Sequence, residues 1–112
     1  MTDQGYRHFH RIVKTNPSRL DDFLSNAEKG NPPPDDPALR AVWDGLSVYS
    51  TLGQARRKRR TSPAIGDFIA VLRVPTDGSV RFARTLSGDG HHTIWGDPAV
   101  LRALIVSIEP IG

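Results

Sequence analysis

The longest apolar stretch, Phe68-Ile69-Ala70-Val71-Leu72-Arg73-Val74, is too short for a buried helix and rich in β-branched residues, so it predicts a central strand. Thr76-Asp77-Gly78-Ser79 is a turn signal after it, and Val80 to Thr85 is expected to return antiparallel as the second arm of a hairpin. Tyr6 to Val13 mixes polar and apolar β-formers in rough alternation and reads as a first strand. Leu46 to Ser50 reads as another, and Leu104 to Ile108 as the last.

A helical period appears at Leu20, Phe23, Leu24 and Ala27, with Ser18 as N-cap, Asp21 in the first turn and Gly30 as the stop. The Pro32-Pro33-Pro34 segment can join neither a helix nor a central strand and is expected as a stiff surface loop. Asp36-Pro37 opens a short helix through Leu39, Val42 and Trp43 that Gly45 ends. Thr51 and Gln54 have capping-box spacing, so a strand should pass directly into a helix that runs through Ala55 to Ser62-Pro63. Ser87 to Gly90 opens an expected flexible loop carrying His91, His92 and Trp95, and Asp97-Pro98 starts a last short helix with Val100 and Leu101 turned inward. Together these elements predict an α+β domain: a mixed, mainly antiparallel sheet with three or four short flanking helices, and a cleft near the first strand and the 87 to 97 loop.

With 112 residues the chain suits one domain, residues 1–112, and its 38% apolar and 24% charged residues are a globular balance. It has no cysteine, which removes disulfides and thiolate chemistry and points to a cytoplasmic, soluble protein; no secretory segment and no membrane span is visible. The formal charge is +3, yet Arg56, Arg57, Lys58, Arg59 and Arg60 supply five positive charges, so the rest of the chain sums to −2. That local block has three readings: a solvated helix end complementing the macrodipole, a phosphate-binding patch for nucleic acid or an acidic protein, or a processing signal. Five successive residues at about 100° each go right round a helix, so they make no single groove-facing stripe.

Four histidines, His8, His10, His91 and His92, match no metal-ligand spacing, and no metal is expected. Neither a nucleophile elbow nor a phosphate loop is present. Gly90 to Asp97 places two imidazoles and Trp95 on the expected loop, which makes His91, His92 and Trp95 candidates for ligand binding or, equally, for core plugging and turn capping.

Three features in order resemble the ADP-ribosyltransferase fold and its small RES-type toxin relatives: His10-Arg11-Ile12-Val13 on the first strand, Ser47-Val48-Tyr49-Ser50-Thr51 turning into a helix with Ala55, and the apolar strand from Phe68 to Pro75. The resemblance implies NAD as the ligand and an ADP-ribosyl transfer or NAD hydrolysis. It implies catalytic roles for three residues: Arg11 on the dinucleotide phosphate, Ser50 in ordering the nicotinamide ribose, and Glu109 stabilising the oxocarbenium-like transition state. His10, Tyr49, Thr51, His91, His92 and Trp95 would then line the ligand site. Ser107 stands two positions before Glu109, where many members of that family carry Glu or Gln, and the capping box already explains Thr51. The alternatives are a fold used for binding alone, a basic module acting through residues 56 to 60, or a partner that works within an oligomer or a toxin and antitoxin pair.

Overall fold

A computed structural model describes residues 5–85 and 90–111. Six strands form one sheet: β1 (Tyr6–Val13), β2 (Leu46–Tyr49), β3 (Phe68–Pro75), β4 (Arg81–Arg84), β5 (His91–Trp95) and β6 (Ile105–Pro110). Their spatial order is β4-β5-β2-β1-β3-β6, and every pairing is antiparallel. The α+β expectation holds, with the sheet antiparallel throughout rather than mixed. Among the described residues there are three α-helices, α1 (Pro37–Arg40), α2 (Leu52–Thr61) and α3 (Pro98–Arg102), and only α2 exceeds five residues. No helix among them is long and apolar enough to cross a membrane.

Strand alternation divides the side chains between two faces. On one face Phe9, Val13, Leu46, Val48, Leu72, Val74 and Ile94 build the main core, closed by Phe23 and by Leu101 of α3. Phe82 on the edge strand β4 meets Phe9 on β1 edge-on at 5.3 Å between ring centroids. Because β5 and β2 lie between those strands in the hydrogen-bonded order, the sheet must curl for the rings to touch. On the other face α2 lies across Ile12, Tyr49 and Ile69 through Ala55, whose small side chain allows a close approach.

The helix starts follow their local chemistry. Asp36 and Asp97 each accept a bond from the backbone N–H two residues on, with proline at the first helical position. Thr51 and Gln54 form the reciprocal capping box.

Five expectations are corrected. The helix from Ser18 to Ala27 is only a 3-10 turn over Leu20–Phe23. The carboxylate of Asp22 folds back to accept from the Lys14 and Arg19 N–H groups and from the Thr15 hydroxyl. Ser25 and Glu28 then cap each other reciprocally, which starts a new turn where the helix would have continued. The second helix stops at Arg40, and residues 41–44 continue only as turns. The expected β3–β4 hairpin does not exist, because β1 and β6 occupy both edges of β3, and the chain from Thr76 to Val80 crosses to the opposite edge of the sheet. Residues 91 to 95 of the expected loop form the doubly paired strand β5, with His91 and His92 buried; residues 87 to 89 of that loop lie outside the described residues. Val100 is also exposed rather than inward, whereas Leu101 is buried.

Candidate functional site

The seam between β1 and β3 carries eight registered pairs, while that between β1 and β2 has one, His10 with Tyr49. Beyond that pair the two strands part. Arg11 occupies the gap, donating from Nε to the Asp22 carbonyl at 2.9 Å and from Nη1 to the Ser47 carbonyl at 2.8 Å. The guanidinium thus satisfies a β2 carbonyl that a ladder bond would otherwise serve. Burial pushes the pKa of Arg11 down to about 10, against the opposing pull of Asp22 and Tyr49. Its Nη2 makes no bond to another described residue.

This gap opens into a cleft of about 390 Å³ lined, among the described residues, by four cations, Arg11, Lys14, Lys29 and Lys58, and by no carboxylate. Tyr49, Ser47, Ser25 and Asn26 add polar groups, and Ile12, Leu24 and Ile65 add an apolar floor. Tyr49 is buried, which raises its hydroxyl pKa, with Arg11 pulling the other way. Toward Thr15 the cleft continues into a hollow where Arg11, Lys14, Arg19 and Lys29 meet Asp21 and Asp22, and the Asp22 carboxylate is already engaged. Those bonds hold its pKa below the usual carboxylate value, overcoming the opposite effect of burial, which is the largest single influence.

In the other direction the cleft shares Asn26, Gly45 and Ser47 with an uncharged hollow of about 400 Å³ under the proline loop. Pro32, Pro34, Leu39, Val42 and Trp43 wall that hollow, and the Trp43 Nε1 donates to the Asn31 carbonyl at 3.0 Å, which fixes the ring. Cationic and aromatic compartments therefore adjoin.

Tyr49 lines the cleft with Arg11, but neither Ser50 nor Glu109 does. The Ser50 hydroxyl donates to Gln54 Oε1 at 2.7 Å, bracing the corner between β2 and α2. Glu109 stands on β6 and faces a separate pocket of about 70 Å³ with His10, Leu52 and Arg56. His10 contacts the Tyr49 carbonyl at 3.4 Å; its pKa is lowered by burial first, with the Tyr49 carbonyl opposing and His8 contributing. Thr51 is exposed at the start of α2. Trp95 donates to Asp44 at 3.0 Å and lies under the Arg81 guanidinium. His92 packs on Phe9 at 4.9 Å between ring centroids, and its Nδ1 meets the Gly90 carbonyl.

His91 meets the cleft through Ser47, which lines it. Its Nδ1 meets the Thr85 carbonyl at 3.1 Å and its Nε2 meets the Ser47 hydroxyl at 3.1 Å.

The basic block is divided among several tasks. Lys58 enters the cleft, Arg56 faces the Glu109 pocket, and Arg59 bonds the Gly66 carbonyl and pairs with Asp67 at 2.9 Å. Arg57 and Arg60 are exposed. A sequence reading that treats the block as a unit names Lys58 as a phosphate-binding candidate but does not set it apart from its four neighbours. The signal for it was its spacing three residues from Ala55, which puts both on the sheet side of α2. Lys14 and Lys29 stand alone in the sequence, and no local pattern marks them.

No family model, no curated protein and no solved structure matches this chain.

Proposed function

We propose that the protein binds a pyrophosphate-bearing small molecule of the nucleotide class, with an NAD-type dinucleotide as the leading candidate. One observation carries the reading: Arg11, Lys14, Lys29 and Lys58 converge on a cleft that, among the described residues, no carboxylate lines. Four cations held together repel one another, and a polyphosphate relieves that repulsion while accepting charge-assisted bonds. Arg11 gains most, because burial already disfavours its charge and an anion restores it. The adjoining hollow with the fixed Trp43 ring suits an uncharged planar group such as a base. The two compartments together have the size of a small-molecule site.

In this reading Arg11 takes the phosphate role implied by the resemblance to ADP-ribosyltransferases, and Tyr49 stands beside the ligand. Glu109 and Ser50 receive no role in binding, since each faces elsewhere. The basic-module alternative draws no support from the division of residues 56 to 60 among separate contacts.

Thermal unfolding in millimolar NAD, ADP or inorganic pyrophosphate tests the proposal. A ligand at about 100 times its dissociation constant adds about 2.7 kcal/mol of stability, a readily measured rise in Tm. The rise should shrink with added salt and vanish in a variant combining Arg11→Met with Lys58→Met. If none of the three ligands moves the transition, the proposal fails.

A further inference from the structure

Ser47 is exposed on β2, lines both the cationic cleft and the Trp43 hollow, and touches the imidazole of buried His91. We assign the imidazole proton to Nδ1: a carbonyl oxygen only accepts, so this tautomer satisfies the Thr85 carbonyl at 3.1 Å, with the Thr85 hydroxyl turned to donate to the Thr93 hydroxyl. The bare Nε2 then accepts from the Ser47 hydroxyl at 3.1 Å. The Thr85 hydroxyl, 3.0 Å from Nδ1 and 2.6 Å from the Thr93 hydroxyl, buttresses the same edge, and Tyr49 packs edge-on to the ring at 5.5 Å. A hydroxyl, a base and an acceptor that orients the base form a serine nucleophile's relay. This relay opens onto the cleft where Arg11, Lys14, Lys29 and Lys58 converge, and the carbonyl of Ser47 itself is held by Arg11.

We infer that Ser47 and His91 form a nucleophile and base pair that cleaves the phosphoanhydride bond of the ligand bound in the cationic cleft. The inference rests on the ligand reading above. In the first step the Ser47 proton passes to His91 Nε2 as the Oγ–P bond forms. The bridging P–O bond breaks, and the departing phosphate leaves with the electron pair as an anion. The imidazolium releases its proton to solvent. As a free base again, His91 takes a proton from a water whose oxygen attacks the serine-bound phosphorus; the Oγ–P bond breaks and Oγ recovers its proton from Nε2. One P–O–P linkage and one water become two phosphate ends, with one proton released. Arg11 and Lys58 neutralise charge on the phosphoryl oxygens during both displacements.

His91 suits the role at neutral pH. Burial lowers its pKa first; the Thr85 carbonyl opposes, and the charges of His92 on β5 and Lys58 on α2 add to the lowering, with the Tyr49 ring of β2 the other neighbour. The imidazole is therefore unprotonated at pH 7 and ready to accept.

The test uses the full chain with NAD, products separated by chromatography and the protein acid-quenched for mass spectrometry. The expected products are AMP and nicotinamide mononucleotide, with a nucleotidyl adduct on the peptide containing Ser47. Ser47→Ala should abolish turnover and adduct while keeping the parent's melting temperature and its ligand-induced rise. Ser47→Cys should restore part of the adduct. His91→Gln should lower the rate by about 100-fold or more and remove the fall in rate below pH 6.5. Nicotinamide with ADP-ribose as products, or binding without turnover or adduct, would overturn the inference and leave the ligand reading standing. Unchanged turnover in Ser47→Ala would do the same, and an absence of ligand binding would overturn both.

Discussion

The two sides of β1 make an instructive contrast. Toward β3 it is zipped along eight pairs, Tyr6 with Pro75 through Val13 with Phe68; toward β2 it makes one pair and then lets go. The first seam is backed by Phe9, Leu72 and Val74, all fully buried. The second is bridged by a guanidinium and opens into the cationic cleft. A closed ladder stabilises the fold, whereas a parted one leaves backbone carbonyls for side chains to satisfy and makes room for a ligand. Stability and binding should therefore separate by seam.

The largest effect is expected on the zipped side. Phe9→Ala removes a fully buried ring in contact with Phe82 and His92 and should cost about 3–5 kcal/mol, measured by denaturant unfolding. Gly66 has φ +153°, and an added Cβ would strike the Val13 backbone carbonyl at the end of the same seam. Gly66→Ala should accordingly destabilise by about 1–3 kcal/mol, with ligand affinity intact in the folded fraction. On the parted side the ranking reverses. Arg11→Met should cost binding about 1.5–3 kcal/mol, at least a tenfold weaker Kd for pyrophosphate by titration, because a charged hydrogen bond to the ligand is lost.

Acid should weaken both sides. His10 and His91 have folded pKa values below 6.5, so the unfolded chain binds more protons as pH falls beneath that value. Their contribution is complete above about pH 6.5 and is lost as pH drops toward the lowered folded values. Asp22 adds a second, more acidic loss, since its folded pKa lies below 3.8: its contribution is present above that value and disappears below it. A plot of Tm against pH should fall in two stages, and Asp22→Asn should shrink the lower one, to which Asp77, held low by its bonds from Ser79, also contributes. The smallest effect belongs to Asp67→Ala, which removes the exposed half of the ion pair while leaving the Arg59 bond to the Gly66 carbonyl, and should cost no more than about 1 kcal/mol.

What the sequence disclosed was what local chemistry decides. The alternation of β1, the apolar run of β3, the Thr51 and Gln54 capping box and both Asp-Pro helix starts are short-range signals, and each element stands where its signal lies. Partnerships were hidden. Nothing within Val80 to Thr85 says that β3 already has two neighbours, one of them β6 from the end of the chain. The Ser25 and Glu28 pair that breaks the first helix competes with an apolar period that looks continuous. In β5, flanking glycines and two histidines imitated a loop, although Thr93 and Ile94 between them are strand formers. The cleft was legible at Arg11 and Tyr49, and at Lys58 only as one of five basic neighbours. Its lysines come from three unrelated segments, and Ser47 meets His91 only because the β2 and β5 registers place them diagonally.

The placement of β1 between β2 and β3 has a consequence for how the chain folds. Made before the other five described strands, β1 is among the last to be complete, since its main partner begins at Phe68 and the outer neighbour of that partner ends at Pro110. During synthesis Tyr6 to Val13 must wait, exposing Phe9 and an unpaired edge, until most of the molecule has emerged. Such non-local pairing raises the contact order and slows the search for the native topology. A nascent chain ending before residue 68 should therefore be the species most prone to stick to other strands, and the one that gains most from a chaperone that shields an amino-terminal strand.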